Sequence, residues 1–260
     1  MATKAKAAMT TGIGRIPITS VSPNVDGGRF SVKAVVGERI RVHATSFREG
    51  HDQMGLQLLV TDPDGIMTRS PMVCTNPGLD HWEGGFRPNR EGGWAYRVEA
   101  FDAPYLTWAH NAEVKIAAGV DEELMCAEGV IVLKAALAEI AKKKRPKTHK
   151  PRLEAAIDAL TNTSLHPSAR IAPALAADMR EAMNEYPLRR WPTRSEKTPV
   201  RVERERALYG SWYEFFPRSE GARFDPEHGG WVSGTLESSL PQLERIKRMG
   251  FDVAYLTPIH

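Results

Sequence analysis

Cysteine is scarce in this chain: two residues in 260. Cys74 and Cys126 fall in segments of different periodicity, so they read as free thiols rather than a bridge, which suits a cytoplasmic protein. Long apolar runs are missing too. Nothing approaches the roughly 18 uninterrupted apolar residues of a membrane span, so no membrane partner is expected. The opening MATKAKAAMTTGIGRI carries lysines but no apolar stretch behind them. Residues 1–14 therefore read as a disordered tail rather than a secretory signal. Neither sign of charge dominates, and a formal +3 is too small to imply nucleic acid. No two carboxylates stand out as an acid and nucleophile pair, and no metal or cofactor is called for.

What is present falls into stretches of distinct period. Over residues 15–118 the period is two. ERIRVHATSF puts Ile40, Val42 and Ala44 on one face, GLQLLVTDPDG does the same with Leu56, Leu58 and Val60, and GGWAYRVEAF with Trp94, Tyr96, Val98 and Ala100. HNAEVKIAAG reads as one more short strand, around Val114 and Ile116. Short strands between Gly, Pro and Asp turns indicate an antiparallel β-sandwich of immunoglobulin type.

From residue 119 to 186 the period becomes helical. The first helix places Leu124, Ala127, Ile131, Ala135 and Leu137 on a stripe, with Asp121 as N-cap and Lys142 to Lys144 near its negative end. The second buries Leu153, Ala156, Ile157 and Leu160. The third starts near Pro173, carries Leu175, Met179 and Met183, and stops at Pro187. Together they predict a small helical bundle. Residues 187–206, rich in Pro and Arg, read as a linker with one short strand around Val200 to Val202.

Residues 207–260 change character again. An aromatic strand at 209–216 is followed by a helix burying Leu236, Leu240, Leu243 and Ile246, with Gly250 as its left-handed stop. The strand in FDVAYLTPIH closes the unit. Strand, helix, strand makes a βαβ unit with parallel strands. Two strands and a helix cannot cover both faces of a sheet, so the pair is expected to expose apolar faces and to belong to a larger sheet.

Individual groups that invite a chemical reading mostly have plainer ones. Asp62 and Asp64 form a hairpin turn, lacking the spaced oxygen ligands of a calcium loop. AKKKRPKTHK reads as a solvated loop between helices. Trp82 and Trp108 are candidate platforms for a sugar ring. Glu214, mid-strand with Arg218 four residues on, reads as half of an ion pair. His260 stands just past the second parallel strand, where a barrel would hold substrate.

VRVERERALYGSWYEFFPRS and GTLESSLPQLERIKRMGFDVAYLTPIH together resemble the bacterial α-1,4-glucan:maltose-1-phosphate maltosyltransferases, relatives of the α-amylases. The order of sandwich, bundle and barrel strands matches as well. The resemblance implies the first βαβ of a truncated (β/α)8 TIM barrel. It also implies transfer of maltosyl from α-maltose 1-phosphate to the non-reducing end of an α-1,4-glucan, with release of phosphate and retention of configuration. Retention needs a nucleophilic carboxylate and an acid/base carboxyl roughly 5 Å apart. In the family these lie on the third and later barrel strands, so no catalytic residue is expected within this chain, and His260 alone is expected at the substrate pocket. A homodimer through sandwich and bundle is implied. The readings left beside it are a non-catalytic dimerisation or glucan-binding module and another amylase-type enzyme such as a branching enzyme.

Overall fold

The computed structural model describes residues 15–142 and 144–259. The tail expected at 1–14, Lys143 and His260 lie outside them. The chain begins with β1 (Ile18–Ser22), β2 (Val32–Val35), β3 (Ile40–Ser46), β4 (Met54–Thr61), β5 (Met67–Pro71), β6 (Val73–Asn76), β7 (His81–Phe86) and the eleven-residue β8 (Gly92–Asp102). These strands divide between two sheets that share one apolar cluster. β1, β3, β7 and β6 form one sheet in that order. Val42 and Ala44 from it meet Leu56, Leu58, Tyr96, Val98 and Ala100 from the other. The alternation in the sequence located this core residue by residue, because period-two side chains share a face.

The second sheet departs from expectation. Its order is β2-β10-β8-β4-β5, with β9 also on β8. β9 (Arg190–Arg194) and β10 (Thr198–Glu203) come from the stretch 187–206 read as a linker. β10 is an interior strand, antiparallel to β8 but parallel to β2, so the sheet is mixed and not antiparallel throughout. TPVRVE is the reason: Val200 and Val202 alternate into the shared core at 1% and 2% exposure. The short strand expected around Val200 to Val202 is therefore present, but two apolar positions among many arginines did not mark it as an interior strand of the sheet instead of part of a linker.

Between β8 and β9 run five helices: α1 (Pro104–Ala117), α2 (Glu122–Ala141), α3 (Lys150–Thr161), α4 (Pro167–Leu175) and α5 (Ala177–Glu185). α1 replaces the strand expected around Val114 and Ile116. Pro104 sits at its first turn, and Tyr105, Trp108, Ala109, Ala112 and Ile116 fall on one helical face and are buried. The period is clear only when read from residue 104. In α2 the buried face is Met125, Cys126, Gly129, Leu133 and Ala136, while the stripe expected inside leaves Leu124 and Ile131 exposed. This helix is apolar all round, so its period does not single out a face. Asp121 occupies the N-cap position but makes no capping bond; its carboxylate pairs with Lys115 at 2.9 Å. The third expected helix is two, broken by extended backbone at Ala176, and Pro173 lies inside α4 rather than at a start.

The last elements are β11 (Trp212–Phe215), β12 (Arg223–Asp225), β13 (Gly230–Val232), α6 (Leu240–Arg248) and β14 (Val253–Leu256). β11 and β14 pair in parallel, Trp212 beside Val253 through Phe215 beside Leu256, as the strand–helix–strand reading requires. β12 and β13 form a hairpin in the connection. α6 buries Ile246, whereas Leu240 and Leu243 are exposed, since two strands cover only one row of a helix, and Leu236, expected within the helix, lies exposed in the turn before it. Gly250 ends the turn after α6 at φ 82°.

Candidate functional site

The C-terminal ends of β11 and β14 open onto a cleft of about 290 Å³ between Pro217, Arg218, Gly234, Thr235, Pro258 and Ile259. Its wall is built by close backbone packing. Gly234 donates its N–H to the Arg218 carbonyl at 2.8 Å. A Cβ at Gly234 would lie 1.9 Å from the Glu220 carbonyl oxygen, so no other residue fits there. Thr235 and Ser238 cap one another reciprocally, backbone N–H to hydroxyl, at 2.7 and 3.1 Å. At the opposite end of the strands, Asp252 is held below the usual carboxylate range, first by the backbone N–H of Ser211, with Arg206 beside it.

Glu214 does not pair with Arg218. Its Oε1 accepts from the Thr257 hydroxyl at 2.9 Å, across the parallel pair and one residue before Pro258 of the cleft. His260, one residue past Ile259, lies outside the described residues.

The other sequence candidates are accounted for by packing. Trp108 is buried among the helices, its indole N–H donating to the Met125 carbonyl at 2.8 Å, which removes it as a sugar platform. Trp82 packs against the sheet core and donates to the Ser46 carbonyl at 3.1 Å, leaving part of its ring exposed. Asp62 accepts from the backbone N–H groups of Asp64 and Ile66, and both aspartates pair with Arg90, so the turn's carboxylates are satisfied within the protein. The basic run is only partly solvated. Arg145 is buried and donates to the carbonyls of Ala182 and Tyr186, tying the end of α2 to α5. Asp225, Glu227 and His228 bring potential metal-ligand atoms within 4.8 Å of one another. Their hydrogen bonds run within a single exposed turn, where His228 first, and then backbone N–H groups, hold the Asp225 carboxyl below its ordinary value.

A second constellation went unread. Glu99 and Asp102 on β8 are fully buried. Glu99 accepts from Arg189 and Arg194 at 2.6 Å each and from Arg69 at 3.2 Å. Asp102 accepts from Arg190 at 2.6 Å and from Arg48. Burial pushes the Glu99 carboxyl up, but the bonds from Arg194 and Arg189 outweigh it and leave it below its ordinary value. Arg69 is lowered, by burial first and then by Arg189. Strand parity offered a signal: with Tyr96, Val98 and Ala100 inward, Arg97 and Glu99 must share the other face, and LRRWPTR held the matching cations.

A family model for alpha-1,4-glucan:maltose-1-phosphate maltosyltransferase, domain N/S, matches residues 14–204. The chain belongs to this family. The maltosyltransferase N/S match runs through β10, the strand that fills the interior of the mixed sheet. Curated maltosyltransferases of the same description are similar along nearly the whole chain. One from Streptomyces coelicolor is 43% identical over 96% of this chain. One from Arcanobacterium haemolyticum is 42% identical over 95%, and one from Mycobacterium tuberculosis 36% over 95%. The chain spans 36% of the first two relatives and 38% of the third.

Proposed function

We propose that this chain is the N-terminal part of a retaining maltosyltransferase, which moves maltosyl from α-maltose 1-phosphate to the non-reducing end of α-1,4-glucans and releases phosphate. The observation that carries this is the family match over residues 14–204. The two sheets then correspond to an immunoglobulin-like sandwich, completed by β10, and the five helices to a bundle. The parallel pair opens a (β/α)8 barrel, whose substrate side is the C-terminal end of its strands, where the cleft at Arg218 and Thr235 lies. His260 would line that pocket. The nucleophile and acid/base belong to later strands of the longer protein, so this chain contributes scaffold and one rim of the site. Its place is the cytoplasm: Cys126 is buried, Cys74 is partly so, and both are free thiols. No described helix is long and apolar enough to cross a membrane.

The test is phosphate release from α-maltose 1-phosphate with a maltooligosaccharide acceptor, run on this chain and on one extended to the length of its relatives. Release is expected from the longer chain alone. Release from neither sinks the donor assignment.

The second role is assembly, and the two-sided helix α2 favours it. Ile131 is 69% exposed and Leu124 50%, on the face opposite the helical core. An apolar helix surface of this kind is usually covered. The reading is a homodimer in which this face is buried. Light scattering should give a dimer for the chain and a monomer for Ile131→Glu with its helix content intact; an unchanged mass in the variant would remove α2 from the interface.

A further inference from the structure

The outward face of the mixed sheet carries more cations than its carboxylate can serve. In register across the sheet, Gln57, Glu99 and Arg194 form one row, and Arg69, Leu59 and Arg97 the next. Met67, Thr61 and Ala95 follow, with Pro199 of β10 beside Ala95. These positions share one face by strand alternation. Glu99 is already bonded to Arg69, Arg189 and Arg194. Among the described residues, the Arg97 side chain makes no hydrogen bond or ion pair, and its Nε is buried with no partner. Arg97 is half-buried, so its guanidinium is partly shielded from water on a face where no carboxylate pairs with it, and a counter-charge there would satisfy the donor left over.

Arg97 lines a cavity of about 230 Å³ with Arg194, Lys197, Thr61, Leu59 and Met67. Among the described residues, no carboxylate borders it. Arg194 spends only its Nε on Glu99, leaving its other N–H groups available, and Lys197 is exposed and unpaired among the described residues. The neighbouring cavity, lined by Arg69, Arg189 and Lys144, does contain acids, Glu139 and Glu185. Glu139 faces Arg145 there, at 3.7 Å. The unneutralised charge therefore concentrates on the Arg97 side.

We infer that the cavity bounded by Arg97, Arg194 and Lys197 on the outer face of the mixed sheet is a binding site for a phosphate-type oxoanion, separate from the cleft at the strand ends. Two guanidinium groups and an ammonium supply charge-assisted donors, the Thr61 hydroxyl adds a neutral one, and the volume admits a phosphate group alone or on a small sugar. The shared chemistry is the phosphate group, and its source is free phosphate or a sugar phosphate.

The test is calorimetric titration of the whole chain with inorganic phosphate and with glucose 1-phosphate, at constant ionic strength against a chloride blank. Saturable binding at one site is expected, weakened about 10-fold or more by Arg97→Gln, the loss of one charge-assisted contact. Lys197→Gln, on an exposed side chain that folding does not need, should weaken it as well and keeps the test decisive if Arg97→Gln unfolds. Tighter binding of glucose 1-phosphate assigns the ester, and equal or weaker binding assigns the free anion. An absence of saturable heat with both ligands, or unchanged affinity in both variants, overturns the site. Because the readout is binding, it can fail while the transfer reaction stands.

Discussion

Replacing Glu99 with glutamine should destabilise the chain by about 3 kcal/mol, the lower end of what breaking a buried ion pair costs, since the arginines around it are about one-third to one-half exposed and can turn partly to water. Urea unfolding followed by circular dichroism measures it. The carboxylate is fully buried, and three guanidinium groups from β5, β9 and the residue before β9 converge on it. Neutralising it leaves mutually repelling cations, with Arg97 beside them. The pH dependence carries a definite sign. The folded Glu99 carboxyl lies below its ordinary value. It therefore contributes stability in full above the unfolded glutamate value of about 4.3, and that contribution fades as pH falls through the depressed folded value. Wild type and Glu99→Gln should thus converge in stability at acid pH. A constant difference from pH 7 to pH 3 would show that the variant acts through packing instead.

The second large effect is expected at Gly129, in the middle of α2. A Cβ there would meet the Trp108 ring at 2.4 Å and Leu160 at 3.0 Å. Gly129→Leu must drive Trp108 out of its place and break its bond to the Met125 carbonyl. Overpacking of this kind costs about 1–3 kcal/mol, with the upper end expected for so close a contact, and it falls where α2 touches both α1 and α3. The indole should move into water, visible as a red shift in emission, and the unfolding midpoint should drop. Gly93→Ala, where a methyl meets nothing within 4 Å, is the matched control and should leave stability unchanged. An unshifted midpoint in Gly129→Leu would mean that the three helices are not packed through this glycine.

Much of this architecture can be read from periodicity, and the failures have physical causes. Val42, Leu58 and Val98 announced their face because alternating residues lie opposite a common core. α2 did not, since Leu124 and Ile131 are as apolar as the Met125 and Leu133 that are buried. β10 was legible as a short strand around Val200 to Val202, but its place inside the sheet was not, because strand pairing over long sequence separations leaves no local trace. The Glu99 cluster is the same case: its arginines come from positions 30 to 95 residues away. The sequence pointed to the strand ends only through His260, which lies outside the described residues. Neither the Thr257 contact of Glu214 nor the fit at Gly234 follows from spacing.

The position of β10 bears on how the chain is made. β2 leaves the ribosome early, yet its hydrogen-bonding partner in the sheet is a strand 168 residues later, Val32 pairing with Val200. Until residue 203 emerges, β2 has no neighbour on its inner side and β8 offers an unpaired edge. The helices between can pack among themselves meanwhile, because their contacts are near in sequence. Sheet closure then becomes the late step of synthesis. A nascent chain stalled before Thr198 should hold a formed bundle beside an open, protease-sensitive sheet, and one stalled well past Glu203 should resist digestion throughout this region.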